Sequence, residues 1–238
     1  MRWKFLLDEL LEITLPRICF ACNHDIESYF KEPLCIECYK KLNFIESIYC
    51  RYCGRKLDGG NTCYQCSRTN HNNFLFLRSV FMYNDHISSL IIAYKYHNYK
   101  YLYKWFSQKM YEKFLNYYEF KGYDSITYIP LSPKRLKERG YNQTEIIAKE
   151  LSNKTGITFL KDVAIKIKDT KSQVELSKEK RLNNLKDAFK VVNKDKIYGR
   201  NIIVIDDVAT TMSTLNEFSK VLKESGAKNI ACFTIARE

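Results

Sequence analysis

Residues 202–214 read Ile202-Ile203-Val204-Ile205-Asp206-Asp207-Val208-Ala209-Thr210-Thr211-Met212-Ser213-Thr214. The unbroken β-branched apolar run at its start predicts a central strand buried on both faces. That strand delivers two adjacent carboxylates, Asp206 and Asp207, at its C-terminal edge, where ligands sit in open α/β folds. The chain then turns through small and hydroxyl residues (Ala209, Thr210, Thr211, Ser213 and Thr214) into a helix. Main-chain N–H groups at such a helix start, helped by the hydroxyls, make a pocket for a phosphate. The acidic pair can accept hydrogen bonds from ribose hydroxyls or hold the waters of a magnesium ion. A turn that merely caps a helix would explain one acidic residue. It would not explain a doubled one followed by hydroxyl side chains at 210, 211, 213 and 214.

Working outward, strands are expected over 74–83, 124–131, 157–167, 201–206 and 229–236. Helices are expected over 87–96, 102–118, 142–153, 177–189 and 214–225. Strands separated by helical periods imply an α/β domain with a mostly parallel sheet and helices on both faces. Cys232 falls in an apolar strand and reads as core. The polar run at 67–73 reads as a short linker. The expected units are therefore a helix over 1–17, a cysteine-rich module over 18–70 and an α/β domain over 74–238. Tyrosines between 94 and 118, interleaved with lysine, suit stacking on single-stranded bases. At helical spacing they also suit core and rim.

Eight of the nine cysteines form four CxxC pairs: Cys19/Cys22, Cys35/Cys38, Cys50/Cys53 and Cys63/Cys66. A two-residue spacer lets both thiolates of a knuckle face one tetrahedral ion, and two knuckles complete a four-thiolate site, so eight ligands make two structural zinc sites. Gly54 after Cys53, and Asn23 after Cys22, supply the backbone freedom a tight knuckle needs. Disulfides are disfavoured for a chain kept in a reducing compartment. Thioredoxin-like chemistry uses one CxxC at a helix start, not four in series. Spacing favours first pair with second and third with fourth, and leaves interleaved pairing open. His24 and His71 are spare.

The chain has 238 residues and a formal net charge of +12. Residues 1–75 carry a balance of +1 and residues 76–238 one of +11, so the basic surplus lies beyond the cysteines and favours polyanions. No apolar run is long enough for a membrane span. Near the N-terminus Trp3, Leu6, Leu7, Leu10 and Leu11 share one helical face, while Asp8, Glu9 and Glu12 interrupt what a secretory signal would need. A cytoplasmic location is expected.

The stretch at 202–214 resembles the phosphoribosyl-pyrophosphate (PRPP) motif of type I phosphoribosyltransferases: an apolar strand, two acids, then Thr-Thr-Gly and Thr. The resemblance implies that Asp206 and Asp207 contact ribose. It further implies that residues Ala209, Thr210, Thr211, Met212, Ser213 and Thr214 form the 5′-phosphate loop, with Met212 where that family usually has glycine. Residues 133–143 (PKRLKERGYNQ) resemble the RGFNQ segment of the ComF family of competence proteins. Gln173-Val174-Glu175-Leu176-Ser177, with Arg181, Asn184, Ala188 and Phe189, resembles its second shared segment. Ile91-Ile92-Ala93-Tyr94-Lys95-Tyr96 resembles its early helix with a lysine. Such proteins also begin with a leucine-rich helix and a double zinc ribbon.

That resemblance implies a role in natural transformation, with single-stranded DNA and competence-machinery proteins as partners and PRPP or a related phosphorylated ribose as ligand. It also leaves open an active transferase that takes PRPP with magnesium and an unidentified acceptor. Lys95, Lys134, Arg135 and Arg139 are then candidates for neutralising pyrophosphate or for contacting DNA, and Asp206 and Asp207 would position the sugar. A partner-binding role through the ribbons alone would leave the phosphate loop unexplained.

Overall fold

The computed structural model describes residues 17–27, 29–46, 48–68, 73–168 and 185–238. The helix expected before residue 17, and the shared segment at 173–184, lie outside these described residues. In chain order the elements are β1 (Arg17–Ile18), β2 (Asp25–Ile26), α1 (Ile36–Lys40), α2 (Tyr64–Arg68), β3 (Phe76–Met82), α3 (Asp85–Tyr96), α4 (Leu102–Asn116) and β4 (Ser125–Tyr128). There follow α5 (Pro133–Arg139), α6 (Gln143–Thr155), β5 (Thr158–Phe159), β6 (Ala164–Lys166), β7 (Phe189–Val191), β8 (Asn201–Ala209), α7 (Ser213–Glu224) and β9 (Asn229–Arg237).

Five strands form one sheet in the order β3-β9-β8-β4-β5, and every pairing in it is parallel. The β-branched run makes β8 its centre, with Ile203 opposite Ala231 on one side and Ile126 on the other. Alternation then divides the core. Ile203 and Ile205 pack with Leu90, Phe106, Ile147 and Leu151 on the face covered by α3, α4 and α6. Ile202 and Val204 pack with Leu215, Phe218 and Leu222 of α7 on the other. All four strand residues are fully buried, which explains why the run lacks polar alternation. The helices are locally specified: Asn84 caps α3 by accepting from the Ile87 N–H, Asn142 caps α6, and Gly156 ends α6 in the left-handed region.

The elements depart from expectation in four places. The strand expected over 157–167 is two strands, because Asp162 adopts a positive φ of 55° and turns the chain. Its second half, β6, pairs antiparallel with β7 in a separate two-stranded sheet. Of the helix expected over 177–189, the described end instead turns at Asp187, also at φ 55°, into β7. The helix over 102–118 stops at Asn116, and Tyr118–Phe120 form a 3-10 turn. Residues 133–139, matched to the ComF segment but assigned no element from the sequence, form α5, with Ser132 as N-cap and proline in the first turn.

The cysteine-rich segment packs directly on the sheet. The N–H groups of Ile45 and Met82 bond to Val80 and Asn43 carbonyls at 3.0 and 2.8 Å, and the Leu77 N–H bonds to the Tyr52 carbonyl at 2.7 Å. These contacts cover the outer edge of β3, which would otherwise offer unpaired main chain to a second molecule. The buried Arg78 guanidinium fastens the junction through Glu119 at 2.7 Å and the Arg51 carbonyl at 3.1 Å. Among the described residues no helix is long and apolar enough to cross a membrane.

Candidate functional site

The eight thiols fall into two sets, Cys19/Cys22/Cys35/Cys38 and Cys50/Cys53/Cys63/Cys66, each with its sulfurs within 4.8 Å of one another. The pairing is sequential, and the interleaved alternative is excluded. Four sulfurs about 2.3 Å from a central Zn²⁺ would lie about 3.8 Å apart. The Cys22–Cys35 and Cys53–Cys63 separations are 3.7 and 3.6 Å, so both sets fit a structural zinc ion. Asn23 and Gly54 hold φ of 61° and 65° just after the first knuckle of each set. Their N–H groups bond back to the Cys19 and Cys50 carbonyls at 2.9 Å. Burial pushes the Cys19 and Cys50 thiols up, but main-chain N–H groups of the knuckles outweigh it and draw both down to about 7, favouring the thiolate that metal needs. His24 is exposed and belongs to neither set.

The second candidate site lies at the C-terminal edge of the sheet. Because successive strand residues face opposite ways, Asp206 and Asp207 diverge. Asp206 lines a small cavity with Ala209, Thr210, Thr211, Ser213 and Thr214 at the start of α7. Thr211 and Ser213 share a hydroxyl hydrogen bond of 2.9 Å there. Burial and the neighbouring Asp207 charge push Asp206 up to about 7, against the pull of Lys95 and Lys166.

Asp207 faces the other way and is tightly held. Lys95 Nζ, from the last turn of α3, lies 2.7 Å from its Oδ1. Gln143 Nε2 donates to its Oδ2 at 2.6 Å, and the Val208 N–H donates to Oδ1 at 2.7 Å. Burial would raise the Asp207 carboxyl, but Lys95 outweighs it and, with Gln143, holds it low. Arg139 donates to Gln143 Oε1 and lies over the Tyr96 ring, 5.1 Å from its centroid. Tyr94 donates to the Gln143 carbonyl at 2.9 Å, and Tyr141 donates to the Tyr94 carbonyl. Lys95, Arg139 and the acidic pair are thus brought together, while Lys134 and Arg135 sit on the first turn of α5, the former exposed and the latter half-buried. The arrangement sets a small hydroxyl-lined cavity beside one titratable carboxyl, and a second carboxylate backed by cations.

The double zinc ribbon domain model matches residues 10–67. Competence protein F of Haemophilus influenzae is 30% identical over 231 residues, covering 95% of this chain and 93% of that protein. The chain belongs to the ComF family. Competence protein ComFC of Bacillus subtilis is 29% identical over 212 residues, covering 87% of this chain and 85% of that one. DNA utilization protein YhgH of Escherichia coli K12 is 31% identical over 114 residues, about half of each chain (48% and 49%). Glutamine PRPP amidotransferase from B. subtilis aligns over 54% of this chain and 26% of its own at 18% identity, with a TM-score of 0.36, too low to support anything further.

In this ComF-family chain, Met212 adopts φ 63°, the left-handed conformation in which glycine is favoured and other residues cost about 1 kcal/mol. Its side chain packs against the second cysteine set and against the α7 face of the core, contacts a glycine would forgo. The sequence reading passed over Gln143, Lys166 and Arg237. Gln143 stood in the ComF segment from which Arg139 was drawn, so a signal was available. Lys166 is buried on β6, in a stretch read as a plain strand. Arg237 has no local motif, because its partners are far away in sequence.

Proposed function

We propose that this chain handles incoming DNA during natural transformation, with a PRPP-type ligand bound at the 206–214 loop. The observation that carries the ligand reading is the single cavity shared by Asp206 and four hydroxyl residues at the start of α7. A 5′-phosphate would accept from the loop N–H groups and hydroxyls, and ribose hydroxyls would donate to Asp206. The relatives are named competence proteins and DNA utilization proteins, which supports the DNA role. So does the +11 balance of residues 76–238. A groove of about 1700 Å³ between the first cysteine set and α4 carries Phe20, Tyr99 and Tyr101 beside Lys31 and Lys104, while its Lys109 and Lys154 pair with Glu32, Glu112 and Glu150. Aromatic faces with interspersed cations suit single strands without sequence preference. Calorimetric titration with PRPP and magnesium tests the ligand. Fluorescence titration with short single-stranded DNA tests the polyanion, and the affinity should fall steeply as salt rises from about 50 to about 200 mM. Salt-independent binding would count against the groove.

The transferase reading has one specific observation in its favour: Lys95 and Arg139 converge on the Asp207 side of the strand edge. Two cations there would offset charge as pyrophosphate leaves C1 of the ribose. Magnesium bound to that pyrophosphate would supply further charge neutralisation. Release of pyrophosphate from PRPP, and its loss in Lys95→Met, would support turnover.

A further inference from the structure

The second cysteine set and the phosphate loop meet through two side chains. Arg237, the last residue of β9, is almost fully buried. Its Nε donates to the carbonyl of Cys53 at 3.2 Å, while one Nη donates to the carbonyls of Ala209 at 2.8 Å and Thr210 at 2.6 Å. One rigid guanidinium therefore holds the main chain of a thiolate ligand and the main chain of the loop in a fixed relation. Met212, at the apex of the same loop, packs on the Cys50/Cys53/Cys63/Cys66 cluster. A Zn²⁺ ion among four thiolates leaves that set with a net charge of −2. Arg237 is a cation facing it, its guanidinium pulled down by burial and supported by Cys53. The first set touches the core beneath α3 and α4 instead, with Cys19 and Cys38 packed in the cluster that holds Leu90 and Phe106.

We propose that Arg237 is a positioning residue for the phosphate loop, and that through Arg237 and Met212 metal at the second cysteine set and a 5′-phosphate ligand at the loop strengthen each other's binding. The proposal rests on the loop being a PRPP-type site. Linkage makes the coupling reciprocal: the factor by which metal raises the ligand's affinity is the factor by which the ligand raises the metal's. Loss of the second metal frees Cys53 and Met212 to move, and the loop carbonyls held by Arg237 lose their reference point.

The test is release of zinc from the full chain to a chromophoric chelator, with and without PRPP and magnesium, alongside calorimetry of PRPP binding to the same preparation. Two equivalents of zinc should leave, PRPP should slow one of them, and at equilibrium with the chelator that zinc should be held about fivefold or more tightly with PRPP present. That slowed phase should be missing in Cys66→Ser. Arg237→Gln should keep both zinc ions, bind PRPP about tenfold more weakly and lose the slowing, and Arg237→Lys should restore part of it. Met212→Ala, which leaves the buried arginine in place, should reduce the slowing and serves if the Arg237 variants fail to fold. PRPP binding with no change in the zinc held at equilibrium with the chelator would overturn the coupling while leaving the ligand site intact. Absence of PRPP binding in the zinc-replete protein would overturn the ligand site, and the coupling with it.

Discussion

The two aspartates at the end of β8 are neighbours in sequence with opposite titration behaviour. Asp206 is pushed up to about 7 by burial and by the Asp207 charge. It keeps its proton in the folded protein above the ordinary aspartate range, so its contribution to stability is lost as pH rises through about 7. Asp207 is held low with Lys95 and Gln143 against it, so its contribution is present above the ordinary aspartate range and lost in acid. A ligand whose hydroxyl or hydrated metal donates to Asp206 needs that carboxyl ionised. PRPP affinity should therefore rise about tenfold from pH 6 to pH 8, and Asp206→Asn should flatten the rise; titrations at both pH values check this. Asp207→Ala leaves Lys95 nearly buried without its partner, with only 18% of that side chain exposed. Urea unfolding should show a loss of about 3 kcal/mol, partly recovered in the Lys95→Met/Asp207→Leu double variant. A loss below about 1 kcal/mol would mark the pair as a surface contact.

At the level of elements, the sequence was legible wherever local chemistry decides the outcome. Four buried β-branched residues, an N-cap asparagine at 142 and glycine at 156 place β8 and α6 with little room for error. The four CxxC pairs likewise identify both thiol sets. Gly54 was readable as a knuckle residue, but its second duty was not. A Cβ there would lie 2.5 Å from the Leu77 carbonyl oxygen, a contact set by the ribbon lying against β3. Gly54→Ala should therefore cost about 2–3 kcal/mol, combining positive φ with the clash. Denaturant unfolding of the zinc-loaded protein measures it, and a neutral substitution would mean the ribbon lies off the sheet edge. The split of 157–167 into β5 and β6 could not be read locally, because β6 is decided by its pairing with β7, more than twenty residues on. Tyrosines 94–118 showed the same limit: spacing could not say that Tyr94 and Tyr117 are buried while Tyr99 and Tyr101 are exposed.

Over the whole molecule, the unreadable part was how the pieces meet. Composition placed the basic excess in the α/β portion and motif chemistry placed the acidic pair, while the polar run at 67–73 read only as a short linker between units. Instead the ribbon closes the β3 edge, and Arg237 carries its second thiol set to the loop at 209–210. The contacts that achieve this span 25 to 184 residues, beyond the reach of any periodicity. Sheet edge, 209–214 loop and second thiol set thus form one structural neighbourhood, and the proposal at its centre is that the loop binds a phosphorylated ribose. Calorimetric titration of the zinc-replete chain with PRPP and magnesium, repeated with Asp206→Ala, tests that claim most directly. Saturable one-to-one binding is expected, weakened in the variant at least tenfold, about 1.4 kcal/mol. No binding to the parent chain, or equal binding to the variant, would contradict it.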